Sequence, residues 1–331
     1  MPDCRPSGIV SAARPSFEVL QEAAQWFAEL GASPADAEQH RRWRLWHEAD
    51  PTHQLAWRQV EAISGKFNTV PGGDKPLAHR MLDAAARART RRRHTLKTLA
   101  WLCGAGLGAS SLALPWGRWT AKHHTGLAER RDLRMADGAQ IWLNTDSAID
   151  VDYTPTLRRI RLLAGEILIA TAADTQAPPR PFVVDTAQAR LRALGTRYSV
   201  YQQDGSTVLA VFDGAVQIEP RLGGPPMGIV QAGQQTRIGP QGPGPIEAAD
   251  MSRRAWAEGL IVAHNLRLQD FVAELSRYRH GYLGCDPAIA DLRLVGTYAI
   301  ADTDQVLETL QATLPLRVRK PLPWWTVLEP R

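Results

Sequence analysis

The chain has 331 residues and a formal net charge of +5, and this length suits two or three domains. The charge is uneven, because residues 1–70 carry seven lysines and arginines against nine acidic residues, whereas residues 71–97 carry eight against two. The positive excess is confined to one short segment, which argues against a general nucleic-acid-binding surface. The three cysteines, Cys4, Cys103 and Cys285, show no CxxC or Cys/His zinc spacing, so we expect no cysteine chemistry.

Residues 1–70 are predicted to form a small all-α domain, the helical head, with three amphipathic helices. Ser16 is an N-cap for the first helix, which Gly31 ends, and Ser33 with Pro34 opens the second. Asp50-Pro51 separates the second helix from a third. A domain of this size buries little surface, so we expect it to gain stability from a partner or from dimerisation.

Residues 71–97 form a basic linker, and residues 98–117 are predicted to be a transmembrane helix. The helix comprises twenty consecutive residues without a charge, and at about 1.5 Å per residue it just spans a hydrocarbon core of roughly 30 Å. Many cations precede this stretch and few follow it closely, so the positive-inside bias places the head in the cytoplasm and the rest of the chain across the membrane. The alternatives are a buried helix of a soluble protein and an ordinary solvated basic face.

Two motifs near the predicted span each have a functional and an ordinary interpretation. Residues 92–97 resemble a twin-arginine export signal, but the positive-inside bias also accounts for these arginines. Gly104 and Gly108 form a GxxxG motif, which favours close helix packing and a homodimer, although glycine is common in membrane helices.

Residues 118–220 are predicted to be an all-β unit, either a sandwich or a coiled sheet, because apolar and polar residues alternate. Turn sequences such as Asp137-Gly138, Ala164-Gly165 and Asp213-Gly214 separate several of its strands. The predicted strands cover residues 140–144, 149–153, 160–163, 167–171, 182–184, 198–201, 208–212 and 216–218. Residues 221–255 are rich in proline and glycine and are predicted to be a connecting loop.

Residues 256–331 are predicted to form a compact α+β domain with a β-α-β-β-α-β pattern. Asp302 followed by Gln305 resembles a capping box that opens its second helix. An edge strand of such a domain could accept a strand from another protein.

One possible class of function is catalysis, but the common motifs of catalytic sites are absent from the sequence. We find no HExxH, GxSxG or P-loop, and no GxGxxG in a strand-helix setting. We therefore expect no catalytic site, no cofactor and no metal. The acidic balance of the head also argues against direct DNA binding.

Motifs in all three regions resemble, in the same order, those of FecR-type transmembrane sensors. In the head, Trp46 and residues 50–60 are similar to the W...DP.H..AW..V signature of these sensors. Beyond the predicted span the matching residues are Thr125-Gly126, Leu133, Asp137-Gly138, Trp142-Leu143-Asn144, Ser147, Gly165-Glu166, and residues 181–184, 193–196 and 232–234. Ala136 and Thr145 replace commoner residues, and Tyr198 stands where the family usually has Phe.

The C-terminal region carries its own part of the resemblance. Its matching residues are Trp256, Gly259, Leu268, residues 274–278, Asp286-Pro287 and Gly296. Here the similarity is to the short N-terminal modules of secretins and TonB-dependent transporters.

The resemblance implies an inner-membrane anti-sigma factor that spans the membrane once, with a cytoplasmic N-terminus and a periplasmic C-terminus. Its head would bind an extracytoplasmic-function sigma factor. Its tail would receive a signal from the signalling domain of a TonB-dependent transporter that carries a ferric siderophore or a similar iron source. Regulatory proteases would cut the chain in or near the membrane.

The resemblance also suggests roles for particular residues. Trp26, Trp46 and Trp57 would support sigma binding, more by packing the head than by direct contact. Glu274, Arg277, Tyr278, Leu292 and Val295 would belong to the module that faces the transporter, although a purely structural role for Arg277 and Tyr278 is equally consistent with the sequence. The alternative function is a single-pass periplasmic ligand- or glycan-binding sensor or scaffold without a sigma partner.

Overall fold

The computed structural model describes residues 15–32, 36–68, 121–203 and 205–331. The predicted basic linker and span fall outside these residues, as do Ser33 and Pro34. Within the described ranges, no helix combines the length and the apolar character that a membrane crossing needs.

The helical head consists of three helices: α1 (Phe17–Ala32), α2 (Ala37–Ala49) and α3 (Pro51–Asn68). Ser16 caps α1 as predicted, because its Oγ accepts a hydrogen bond from the Val19 backbone N–H at 3.3 Å. The cap of α2 differs from the prediction: the Asp36 carboxylate accepts from the backbone of Glu38 and Gln39. The break at Asp50-Pro51 is present, so the number and order of the predicted helices are confirmed.

In the part of the chain that the structure describes after the head, there are eighteen strands. The first thirteen form one β unit in two layers around a common apolar core. Their bounds are β1 (His123–His124), β2 (Arg131–Arg134), β3 (Gln140–Leu143), β4 (Ala148–Tyr153), β5 (Arg158–Ala170), β6 (Phe182–Asp185), β7 (Ala189–Ala193), β8 (Arg197–Gln203), β9 (Ser206–Asp213), β10 (Ala215–Pro220), β11 (Gly228–Gln231), β12 (Gln234–Gly239) and β13 (Gly242–Ala248).

Strand β5 joins the two layers of the β unit. Its first half pairs with β4 and β6 in one layer, and its second half pairs with β3 and β8 in the other. The sequence predicts two strands here with a turn at Ala164-Gly165, but the structure has one continuous strand. Gly165 has φ +78° and lies so close to Ser147 that a Cβ would collide with it, so the glycine allows the strand to bend between layers without ending.

Three strands, β11 to β13, occupy the region that the sequence predicts to be a loop. Strands β11 and β13 lie at the two ends of the strand order, each with one neighbour among the described strands. Glycine and proline are tolerated at such edges, where one side of the strand makes no ladder hydrogen bonds. The prediction of a connecting loop at residues 221–255 is therefore wrong, because three strands lie there. The glycine and proline residues that suggested a loop are compatible with edge strands.

The C-terminal α+β domain contains two small sheets and two helices. Strands β14 (Leu260–Arg267) and β16 (Arg293–Ala299) pair with each other, while β18 (Trp325–Pro330) lies between β15 (Tyr282–Cys285) and β17 (Leu316–Leu322). Helix α4 (Leu268–Ser276) contacts both sheets, and α5 (Thr303–Thr313) is capped by Asp302. The observed order β-α-β-β-α-β-β therefore has one strand more than the predicted pattern.

The C-terminal domain packs against the outer face of the second β layer. Leu168, Ala210 and Phe212 of that layer belong to the same buried cluster as Trp256 and Phe271. The second half of β5 is therefore covered on both faces, which explains why residues 166–169 are all buried. The two domains therefore share one buried apolar cluster, which lies on the other side of this layer from the β unit's own core.

Candidate partner-binding surfaces

A buried ion pair joins the β unit to the C-terminal domain. Arg277 follows α4, and its Nη2 donates to Glu166 Oε2 of β5 at 2.6 Å. Arg277 Nη1 donates to Glu274 Oε1 at 2.7 Å, one helical turn earlier. The Arg277 and Glu166 side chains are 15% and 2% exposed, so this pair is shielded from solvent far more than an ordinary surface salt bridge.

Aromatic and amide groups complete the surroundings of this pair. The Arg277 Cζ lies 4.4 Å from the ring centroid of Tyr201, which is the direct partner of Glu166 on β8. Asn144 Nδ2 donates to Glu166 Oε2 at 3.0 Å and to Tyr278 Oη at 2.9 Å. We call Asn144, Glu166, Tyr201, Arg277 and Tyr278 the interdomain network.

The network keeps its charged groups ionised in spite of burial. Burial raises the pKa of the Glu166 carboxyl, but the charges of Arg277 and Arg253 and the hydrogen bonds to Arg277 and Asn144 together outweigh it and hold the pKa below its usual value. Burial lowers the pKa of the Arg277 guanidinium, while the charges of Glu166 and Glu274 raise it above its usual value. Each partner thus stabilises the charged form of the other.

Residues of the FecR-like motifs support the β side of the network. Thr125 Oγ1 donates to the Asn144 carbonyl at 2.6 Å and accepts from the Ser147 backbone N–H at 2.9 Å. The Glu166 backbone N–H donates to Ser147 Oγ at 2.9 Å. These short contacts hold the loop after β3 against β5, and they place Asn144 within reach of Glu166.

The structure separates the five residues that the sequence assigns to the transporter-facing module. Arg277 and Tyr278 are buried against the β unit, and Glu274 is 25% exposed beside them. Leu292 packs against the C-terminal core, whereas Val295 on β16 is 76% exposed. Arg277 and Tyr278 therefore lie where a structural role is possible, which is one of the two alternatives that the sequence left open. Their role in partner binding stays a prediction.

A cleft of about 500 Å³ lies beside the network, between the two domains. Its walls include Tyr201, the apolar side chains of β14 and the start of the 3-10 helix at Met251–Glu258. Three carboxylates, of Asp250, Asp270 and Glu274, and the guanidinium of Arg253 also line it. The mixed charge of this cleft gives it no single ligand chemistry.

The three tryptophans predicted to support the head lie between its helices and are half-buried. The Trp57 ring lies 4.9 Å from that of Trp43 and 5.8 Å from that of Phe27. Trp46 Nε1 donates to Glu22 Oε2 at 2.8 Å, and its ring stacks on His53. These contacts agree with a packing role, and their part in sigma binding stays a prediction.

The structure also places the outer side of α1 against an aromatic surface of the C-terminal domain. Trp324, Trp325 and Tyr282 share a buried cluster with Leu20 and Ala24 of α1. The ring of Phe27 meets that of Trp324 edge to face at 5.5 Å, and Gln21 Nε2 donates to Glu329 Oε1 at 3.3 Å. Sequence reasoning missed this contact, because nothing local links residues so far apart in the chain.

Comparison with known proteins gives matches to two family models and to solved structures. The model described as "FecR protein" matches residues 121–217, and "Domain of unknown function (DUF4880)" matches residues 21–63. Two crystal structures of a "putative anti-sigma factor" from Parabacteroides distasonis are 21% identical to this chain, with TM-scores of 0.50 and 0.49. Each comparison covers 63% of this chain and 98% of the other. At this identity, the match with a TM-score of 0.50 shows a likeness of fold alone. No curated protein matches.

Proposed function

Because this chain belongs to the FecR family, we propose that it is a signalling protein whose head acts as an anti-sigma factor. The head binds an extracytoplasmic-function sigma factor and withholds it from transcription. The β unit and the C-terminal domain, here called the far-side domains, receive the signal that changes this state. Such a role needs surfaces that bind partners and a way to transmit the signal between domains, and it needs no catalytic site.

The observation that carries this proposal is the division of the chain into two separately matched parts. Residues 21–63 coincide with the three-helix head, and residues 121–217 coincide with most of the β unit. Between them lie the basic linker and the charge-free residues 98–117. A small head, a hydrophobic connection and a large receiving body suit a signal that passes from one compartment to another.

We further propose that residues 98–117 anchor the chain in the inner membrane, with the head in the cytoplasm and residues 118–331 in the periplasm. The signal comes from the signalling domain of a TonB-dependent transporter concerned with iron uptake, and regulatory proteases act in or near the membrane. The buried cluster shared by the β unit and the C-terminal domain supports this scheme. Because the two domains are packed together, a movement of the C-terminal domain on binding would also move the β unit.

The test is co-purification of the detergent-solubilised full chain with the extracytoplasmic-function sigma factor encoded nearest to its gene. We expect a stable one-to-one complex that Trp57→Ala weakens, because Trp57 holds α1 and α2 together. Arg131→Met, which changes a surface ion pair of the β unit, serves as the control and should bind normally. A folded head that retains no sigma factor would contradict the proposal.

A negative result would favour the second candidate, a ligand- or glycan-binding sensor without a sigma partner. The interdomain cleft of about 500 Å³ is the observation in its favour. Under this alternative, the head would be folded and inert, and ligands would protect the far-side domains against unfolding.

A further inference from the structure

We propose that two copies of this chain pair through β16 and form one continuous four-stranded sheet. The interface is the free edge of β16, and its occupant is the same strand of a second copy, running antiparallel. This inference goes beyond the proposed function and does not depend on it, because the C-terminal domains of two copies lie in the same compartment whatever the membrane topology.

The edge of β16 is open in the part of the chain that the structure describes. Strand β16 pairs there with β14 alone, in a two-stranded sheet. An edge strand presents unpaired N–H and C=O groups, which can bond to a strand that lies beside it. The side chains of β16 alternate, since Leu294 is buried in the core whereas Arg293, Val295 and Thr297 are exposed. The strand is therefore regular, with one face on the core and one in solvent.

The other long edge strands among the described residues carry features that discourage pairing, and β16 does not. Strand β13 contains Pro243 and Pro245. Strand β17 contains Lys320 and Pro321. Strand β14 has a bulge, because its Asn265 has no opposite residue on β16. Lysine, proline and bulges are the usual protection of a sheet edge. The seven residues of β16 include none of these features, so its edge is unprotected.

The residues of β16 complement themselves when two copies run antiparallel. Gly296 is the middle residue of the strand, so a two-fold axis at Gly296 places Val295 opposite Thr297 of the second copy. The same axis places Arg293 opposite Ala299 of the second copy. Two β-branched side chains then share the exposed face, which is a favourable cross-strand pair. The strand of a second copy therefore fits this edge without a clash of charge.

The charge of β16 also selects the antiparallel direction. Arg293 is the only charged residue of the strand, and it lies at the first position. In the antiparallel pair the two arginines are about 20 Å apart, at roughly 3.3 Å per residue. A parallel pair in register would place them side by side, where like charges are destabilising. A two-fold axis perpendicular to the sheet gives the antiparallel pair and closes the assembly as a dimer.

The exposed face of the β14–β16 sheet carries an apolar strip that pairing would extend. Among the large apolar side chains of the described strands, that of Val295 is the most exposed, at 76%. On β14, Val262 and Leu260 are half-buried and lie opposite Thr297 and Ala299 on the same face. Pairing would place two such strips side by side. A ladder of seven residues is short compared with standard interfaces, which bury about 1,600 Å², so we expect a reversible dimer.

Disulfide crosslinking of the full chain in its native membrane tests the register. Serine replaces the three native cysteines, and two differently tagged copies are co-expressed, one with Val295→Cys and the other with Thr297→Cys. After oxidation with copper phenanthroline, we expect at least tenfold more disulfide between these copies than between two copies of Val295→Cys. The reason is that positions two residues out of register lie about 7–8 Å apart, which is too far for an unstrained disulfide.

A control for random collision uses an exposed residue on a protected edge strand. Ile246 of β13 is 47% exposed, and Ile246→Cys in one copy should give only background disulfide with Val295→Cys in the other. A yield for the Val295→Cys and Thr297→Cys copies that does not exceed this background would overturn the inference. A yield between two Val295→Cys copies that equals or exceeds it would also overturn the inference.

A charge exchange in the same assay distinguishes strand pairing from damage to the fold. Ala299→Lys in both copies places a lysine opposite each Arg293 and should lower the disulfide yield at least threefold. Adding Arg293→Glu should restore the yield, because each lysine then lies opposite a carboxylate. Arg293→Glu alone should leave the yield unchanged. A yield that Ala299→Lys does not lower, or that Arg293→Glu does not restore, would contradict the proposed register.

The identity of the crosslinked partner completes the test. A disulfide from position 295 or 297 to another protein, in place of a second copy, would overturn the inference and assign the edge of β16 to that protein. None of these substitutions lies in the helical head. Failure of the β16 dimer therefore leaves the anti-sigma function intact, and failure of sigma-factor co-purification leaves the dimer intact.

Discussion

Arg277 interacts with groups from both the β unit and the C-terminal domain, so its removal tests how firmly they are joined. Arg277→Met keeps much of the side-chain length but leaves Glu166 buried without its cation. We expect the free energy of unfolding to fall by about 3 kcal/mol, as is typical when one partner of a buried pair is removed. Urea unfolding of the purified full chain, followed by its tryptophan fluorescence, measures this.

A surface ion pair of the β unit provides the matched control for this prediction. Arg131 and Glu129 are 45% and 46% exposed, and Arg131→Met should change stability by less than about 1 kcal/mol. The double variant Arg277→Met with Glu166→Leu should recover part of the loss, because it removes the unpaired charge. Equal effects of Arg277→Met and Arg131→Met would mean that the network does not join the domains.

The pH dependence of the free energy of unfolding should show when the Glu166 carboxylate becomes protonated. The folded pKa of Glu166 lies below its ordinary value of 4.5, so its contribution to stability is fully present above pH 4.5. That contribution is lost as the pH falls from 4.5 through the folded pKa. The stability difference between the wild type and Glu166→Gln should therefore be constant near neutral pH and shrink below pH 4.5. A difference that grows on acidification would contradict this assignment.

Tyr198 stands where the resemblance to FecR-type sensors predicts a phenylalanine, and the structure shows the surroundings of its hydroxyl. The residue is fully buried, and its Oη has no hydrogen-bond partner among the described residues. Tyr198→Phe removes this unpaired hydroxyl and should raise the free energy of unfolding by about 1 kcal/mol. Tyr153→Phe is the control, because Tyr153 Oη donates to Asp137 and its loss should destabilise the chain. Thermal unfolding of both variants should give shifts of opposite sign.

At the scale of whole elements, one aromatic side chain, that of Trp57, contacts both of the other helices of the head. Trp57 of α3 touches Trp43 of α2 and Phe27 of α1. Because the ring is half-buried, Trp57→Ala should cost roughly 2 kcal/mol, less than the roughly 3–5 kcal/mol of a fully buried tryptophan. Loss of helical circular dichroism on heating the full chain measures this. Leu45→Ala, at an exposed site of α2, should stay within about 0.5 kcal/mol of the wild type.

Elements with a strong local signal were predictable, and those that depend on their neighbours were not. The helices of the head follow from caps and apolar periodicity, and most strands of the β unit follow from alternation. Strand β5 was misread as two strands, since only the neighbouring layers show that Gly165 bends it without ending it. Strands β11 and β13 resemble loops in sequence because edge strands tolerate glycine and proline.

For the whole molecule, the proposed membrane topology makes a direct prediction. Alkaline phosphatase, which is active only outside the cytoplasm, should be active when fused after Arg331 and inactive when fused after residue 68. The reason is the excess of cations before residue 98 compared with those after residue 117. Deletion of residues 98–117 should abolish activity of the C-terminal fusion. An active fusion at residue 68 would reverse the proposed orientation.

For the candidate surfaces too, the sequence indicates features that depend on nearby residues but not contacts between residues far apart in the chain. Sequence motifs singled out Asn144, Glu166, Arg277 and Tyr278, and for the last two they left a transporter-facing role and a purely structural role equally open. The network forms between residues 111 positions apart along the chain, and no local pattern encodes such a pairing. The resemblance singled out these residues, and the structure shows which of them are neighbours.

By itself, the sequence determined the order of parts: a helical head, a basic and then apolar connection, a β unit and an α+β domain. These features follow from periodicity, capping and charge, which act over a few residues. Only the tertiary structure decided that the β unit and the C-terminal domain share a buried cluster, that Glu166 and Arg277 join them, and that α1 packs against Trp324 and Trp325. Burial and ion pairing depend on which surfaces meet in space, and that choice is made by the whole chain at once.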